Sequence, residues 1–155
     1  MFESLFPRTI DHSYRGPKAA LWILGVVAAI KIAMSLNSIF NGFFVLTSAD
    51  GVPLPAYPPD AAQSLIAIFA MWAWGHLLFA LLALMAVVRY RSMTSLMFML
   101  LLAEHLVRKL ILFYLPIVRS GNATASYVNY ALLALMVAGL LLSLRQRSAT
   151  RPAGT

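Results

Sequence analysis

The sequence predicts an all-α integral membrane protein, a four-transmembrane-helix antiparallel bundle with both termini in the cytoplasm. Three observations predict it. First, 61% of the 155 residues are apolar and only 11% are charged, against roughly 45–50% and about 25% in a soluble domain. So few charges could not cover a core of that size in water. Second, four apolar stretches each reach the ~20 helical residues that a hydrocarbon layer of ~30 Å requires. Third, most of the cations stand at the ends of these stretches, where topology signals belong. A disordered chain, a disulfide scaffold, a coiled coil and a cytosolic enzyme are excluded on composition alone. The lack of cysteine also excludes thiol–disulfide relays, Fe–S ligation and thiolate metal sites. The formal net charge of +7 does not indicate nucleic acid, because the cations neither cluster on one segment nor interleave with aromatics on a soluble face.

The first span is expected over residues 19–44, behind Pro17, whose missing N–H costs little at a helix start. Lys31 interrupts it and no small-x-small cleavage site follows, so it reads as a retained helix and not as a signal peptide. The second span is expected over 61–88, opened by Asp60-Ala61-Ala62-Gln63 as an Asp-led capping box. The third covers 92–115 and stops at Pro116 and the Ser120-Gly121-Asn122 breaker. The fourth covers 126–144. Residues 1–18 form a cytoplasmic N-terminal segment and 145–155 a basic cytoplasmic tail. Between the first two spans, the proline-rich stretch Asp50–Asp60 reads as a semi-rigid cover. The block Ala80–Met85 recurs as Ala131–Met136, a short echo that Leu/Ala-rich spans also produce by chance.

Orientation follows from the connections. Arg8, Arg15 and Lys18 precede the first span, Arg89 and Arg91 fill the second connection, and Arg145, Arg147 and Arg151 follow the fourth span. The other side carries Asp50, Asp60 and Arg119. The positive-inside rule therefore places both termini in the cytoplasm of a multi-pass protein of the cell inner (plasma) membrane. All six tyrosines fall at span ends, where the amphipathic ring prefers to sit. Asn122-Ala123-Thr124 fits the glycosylation sequon on the outer side, a three-residue match that matters only in a eukaryotic secretory pathway.

Ionisable residues within spans are costly and usually face protein, water or one another. At 1.5 Å per residue, Lys31, His76 and Glu104 each lie ~18 Å from the cytoplasmic edge, so three helices deliver them to one level. Arg108 stands four residues after Glu104, on the same face, a spacing that allows an ion pair or hydrogen bond within the helix, and Lys31 can compete for the same carboxylate from the first span. Lys109 reads as an interfacial anchor. Ser35 and Ser38 extend the Lys31 stripe, and Phe69, Trp72, His76 and Phe79 share a face of the second span while Trp74 points elsewhere. The candidate ligand-binding set is thus Lys31, Ser35, Ser38, Trp72, His76, Glu104 and Arg108, with Glu104 and His76 the candidate catalytic pair.

Four functions compete for this cluster. The leading expectation is binding or translocation of a proton-linked small or lipid-like solute, with Glu104 as the protonatable centre and membrane lipids or a homodimer as partners. The second is electron transfer through haem b, ligated by His76 and His105; against it, His105 lies ~100° around the helix from Glu104. The third is an acid/base enzyme acting on a lipid or isoprenoid. The fourth is an accessory subunit of a larger membrane complex, whose polar residues clamp the helices. No resident metal is expected, since H-E-x-x-H and related spacings are absent. No P-loop, nucleophile elbow or dinucleotide fingerprint is present either.

Overall fold

Apolar runs without internal proline leave helix as the only way to satisfy the backbone inside each run, and the computed structural model is all-helical. It describes residues 10–12, 14, 16–120 and 125–145, with no strand among them. Four long helices carry the fold: α1 (Lys18–Phe40), α2 (Pro59–Val88), α3 (Thr94–Tyr114) and α4 (Ala125–Leu144). The lengths of α1 and α2 and of the Ser126–Leu144 stretch, with their apolar content, suffice to cross a membrane. Helix α3 does not meet that criterion, because Glu104, Arg108 and Lys109 concentrate three charges in its 21 residues. Large apolar side chains point outward along the helices, among them Trp22, Phe40, Met71, Trp74 and Phe113. Such an apolar exterior suits lipid and not water, which marks the chain as a membrane protein.

Small residues set the helix contacts. On α2, Ala73, Ala80, Ala83 and Ala86 are buried together with Leu77. They form the stripe on which α1 makes its most extensive contact, because small side chains let two backbones approach closely. Helix α4 packs against both α1 and α3. The main core gathers Ala20, Leu24, Val27 and Ala28 with Ala83, Ala86, Phe98, Leu101, Leu132 and Met136. Gly139 of α4 admits the fully buried Phe98 ring, which a Cβ at that position would overlap.

The connections depart from expectation in instructive ways. Helix α1 stops at Phe40, four residues short of the expected Phe44, at Asn41 with φ −122° and ψ 36°. A short turn at Gly42–Phe44 and a π-helical turn at Val45–Ala49 continue it. Gly42 is the close-approach point, where a Cβ would come within 3.2 Å of Ile66 Cγ2. Helix α2 opens one residue before Asp60, with Pro59 in its first turn and no side-chain cap. Asp60 is therefore a first-turn acid favoured by the helix dipole and not the expected capping residue; the fixed φ of Pro59 nucleates the start instead. The proline-rich loop is more than a cover: its Val52 and Leu54, with Leu46 of the π-helical turn, are buried against Ala62, Leu65, Ile66 and Phe69.

Two sets of hydrogen bonds pin opposite ends of the molecule. At one end, the Ser92 N–H donates to Asp11 O at 3.3 Å and Ser92 Oγ accepts from the Asp11 N–H at 3.1 Å. At the other, the Ser120 N–H donates to Gly51 O at 2.9 Å. Gly51 has φ 72°, a left-handed conformation that glycine adopts without a Cβ penalty. Arg8, Arg15, Arg147, Arg151 and the Asn122-Ala123-Thr124 sequon lie outside the described residues.

Candidate functional site

The helix rotations set by the alanine and leucine seams turn three ionisable side chains toward one another. Lys31 of α1 donates from Nζ to Glu104 Oε2 at 2.9 Å. His76 of α2 places Nδ1 at 3.3 Å from the other carboxylate oxygen, Oε1. The side chains are 8%, 12% and 17% exposed for Lys31, His76 and Glu104 respectively. One carboxylate thus joins three helices, and both its oxygens are engaged. An ion pair this secluded stabilises only while both members are present, since a lone buried charge is costly.

Of the two cations that spacing and depth offered to Glu104, Lys31 makes the contact and Arg108 turns elsewhere. No contact links it to Glu104 within 4.0 Å among the described residues. Instead Nη2 donates to Asn129 Oδ1 of α4 at 3.1 Å and lies 3.2 Å from His105 Nδ1. The guanidinium also sits over the Trp72 ring, 5.5 Å from its centroid. If His105 Nδ1 accepts from Arg108, its proton resides on Nε2, a buried atom with no partner among the described residues. The Arg108 Nε is buried and unpartnered in the same way. His105 itself is fully buried, on a different side of α3 from the Glu104 contact.

Two adjoining spaces border these groups. A cavity of about 60 Å³ holds Lys31, Ser35 and Ser38 of α1 against Trp72, His76 and Asn129, so the expected hydroxyl stripe does reach the cluster. Asn37, by contrast, is exposed and accepts from Asn41 Nδ2 at 2.8 Å. A larger cavity of about 640 Å³ opens between α2 and α3, within the ~300–1,000 Å³ range of small-molecule sites. Its α2 wall is Ile68, Phe69, Trp72, His76 and Phe79, and its α3 wall includes Glu104, Arg108, Lys109 and Ile111. The loops close one end with Asp50 and Arg119. The α2 wall is built by ring contacts: Phe69 stacks on Trp72 with centroids 5.5 Å apart, and Trp72 meets His76 edge-on at 4.2 Å. Trp74 stays outside, as its helix position predicts.

Sequence reasoning missed Asn129, Asp50 and Arg119, and it placed Lys109 at the interface alone. Lys109 lines the cavity with its Nζ 4.5 Å from the Tyr130 centroid. Asn129 carried a usable signal, an amide inside an apolar span that needs a partner. Asp50 and Arg119 carried none, because only the loop fold brings them there. Burial pushes the Asp50 carboxyl above the usual aspartate range, opposed by the nearby cations Arg119 and Arg108.

Fold and site together define a small all-helical membrane protein with a carboxylate, an ammonium and an imidazole gathered between its helices. Compared with protein-family models, curated proteins and solved structures, the chain matches none.

Proposed function

We propose that this protein is a four-helix inner-membrane bundle that binds or moves a proton-linked small or lipid-like solute, with Glu104 as the working carboxylate. The observation that carries the reading is the position of Glu104: held by Lys31 and His76, it forms part of the wall of a largely apolar cavity of about 640 Å³. A carboxylate that serves packing alone gains nothing from bordering such a space. Neutralising Glu104 weakens its hold on Lys31 and His76, and a solute in the cavity reaches the same carboxylate and His76, so occupancy and proton binding are coupled at Glu104. Ser35 and Ser38 supply hydroxyls beside Lys31, and Trp72 supplies a flat apolar surface.

The topology belongs to the same proposal. The Asp11–Ser92 contacts tie the N-terminal segment to the connection that carries Arg89 and Arg91, which supports a common cytoplasmic end by the positive-inside rule. Gly51 and Ser120 then lie together at the outer end.

The competing reading is a structural clamp, favoured by the way Glu104 ties α1, α2 and α3. Native mass spectrometry of the gently solubilised protein separates the two. A retained species of defined mass, lost in a folded Glu104→Gln variant, supports solute binding. A wild-type protein stripped of any bound mass, with Glu104→Gln and Lys31→Met failing to assemble, supports the clamp and overturns the proposal.

A further inference from the structure

Arg108 poses a charge problem that its neighbours do not solve. Its contacts are an amide oxygen, an imidazole nitrogen and an indole face, all neutral. Its Nε is buried without a partner, and no carboxylate lies within 4.0 Å among the described residues. A guanidinium carries five N–H donors and retains its charge in proteins, so even half-buried, as here, it favours an anion within reach of its fork. Glu104 and Asp50 act on it only at longer range, the Glu104 oxygens being turned to Lys31 and His76.

Across the cavity lining, cations outnumber carboxylates. Its charged lining comprises Arg108, Lys109 and Arg119 against Asp50 and Glu104, and Glu104 is already offset by Lys31 behind it. Lys109 and Arg119 form no ion pair with the described residues; the partner of Lys109 is the Tyr130 ring. These cations stand on α3 and in the segment after it, while Ile68, Phe69 and Phe79 line the opposite wall. With all three cations on that side and an apolar stretch of α2 facing them, the space matches a molecule that is itself two-ended.

We propose that the large cavity binds an anionic amphiphile, its phosphate or carboxylate head on Arg108 with Lys109 and Arg119 nearby, and its apolar tail along Ile68, Phe69 and Phe79. The inference rests on the reading of this cavity as a solute site and adds the sign and shape of the solute. Arg108 is suited to the head because its planar fork matches carboxylate and phosphate oxygens. A cationic amphiphile would find only Asp50 unpaired among the described carboxylates of the lining, at the loop end beside Arg119.

Binding of three probes to the full chain in a neutral maltoside detergent tests this: dodecyl phosphate, dodecyltrimethylammonium and inorganic phosphate. Dodecyl phosphate is expected to bind saturably, dodecyltrimethylammonium far more weakly, and inorganic phosphate weakly because it lacks the tail. Arg108→Gln should weaken dodecyl phosphate roughly tenfold or more, as loss of a charged hydrogen bond does. Arg119→Gln, on an exposed segment outside the helices, should weaken it severalfold without disturbing the fold, which covers the case of an unfolded Arg108 variant. Equal binding of both amphiphiles, unchanged by either substitution, overturns the anion inference and leaves the solute site standing. Inorganic phosphate binding as tightly as dodecyl phosphate overturns the amphiphile and identifies a free anion. Saturable binding of none of the three to folded protein overturns both the inference and the reading beneath it.

Discussion

Replacing Lys31 with methionine removes the ammonium while keeping an unbranched side chain only one atom shorter in α1. Glu104, 17% exposed, then keeps only His76 at 3.3 Å. Removing one partner of a buried pair costs about 3–5 kcal/mol. The cavity beside Glu104 gives water some access, so the expected loss is at the lower end, about 3 kcal/mol. In a chain of this size ~1 kcal/mol corresponds to ~2–4 °C in Tm, so Lys31→Met should melt roughly 6–12 °C below wild type. Glu104→Gln alone strands the ammonium of Lys31, 8% exposed, and should lose a comparable amount. The double variant has no charge left to strand and should return to within about 1 kcal/mol of wild type, since neutral replacement of a buried pair is often tolerated. Thermal unfolding of all four proteins in one detergent, followed by circular dichroism, completes the cycle. Additive losses in the double variant, or a Lys31→Met protein as stable as wild type, would refute a buried pair between these two residues.

Three further predictions rest on separate features. Gly139→Ala gains ~1 kcal/mol of helix propensity but drives a methyl into the Phe98 ring, and overpacking costs ~1–3 kcal/mol. With the Phe98 ring fully buried and closely surrounded by the core, the variant should melt lower, whereas Gly75→Ala, which meets nothing within 4 Å, should melt no lower than wild type. For Asp50, the folded pKa lies above its ordinary 3.8 because burial penalises the charge, so the folded state holds the proton longer than the unfolded one. Stability should therefore fall as pH rises from about 3.8 through the raised folded value, and Asp50→Asn should remove that decline in a pH series of melts. Because the chain has no cysteine, single substitutions report topology directly. Ala56→Cys should react with a membrane-impermeant maleimide from outside intact cells, and His12→Cys only after permeabilisation; the reverse pattern would invert the proposed orientation.

The helices were legible because hydrophobic length is a one-dimensional property. The bounds of α2 and α4 fall within two residues of those read from apolar runs, and only Asn41 moved the end of α1. The meeting of Lys31, His76 and Glu104 was also legible, since 1.5 Å per residue converts sequence position into depth and equal depth is what contact between helices needs. Azimuth was the harder coordinate. The i, i+4 spacing placed Arg108 on the Glu104 face, yet Asn129 of α4 and His105 one turn back claimed its guanidinium. Spacing along one helix says nothing about which neighbouring helix stands beside that face. Asp50 and Arg119 were invisible for a related reason: their place at the cavity depends on the Gly51–Ser120 contact between two loops, and loop pairing leaves no periodic trace in sequence. The Asp60 capping motif misled because Pro59, one residue earlier, starts the helix on its own.

The contact between Lys31 and Glu104 is open to direct measurement. The chain holds three lysines and two glutamates, so protein labelled with ¹⁵Nζ-lysine and ¹³Cδ-glutamate and reconstituted in lipid gives a sparse solid-state NMR spectrum. With Nζ at 2.9 Å from Oε2, the nitrogen and carboxyl carbon should lie within about 4 Å, as charge-assisted hydrogen bonding requires. One strong ¹³C–¹⁵N dipolar coupling is expected, and it should vanish in Lys31→Met and in Glu104→Gln. Absence of any such coupling in the wild-type protein would mean that the acid and the base do not meet, and the site built on them would not exist.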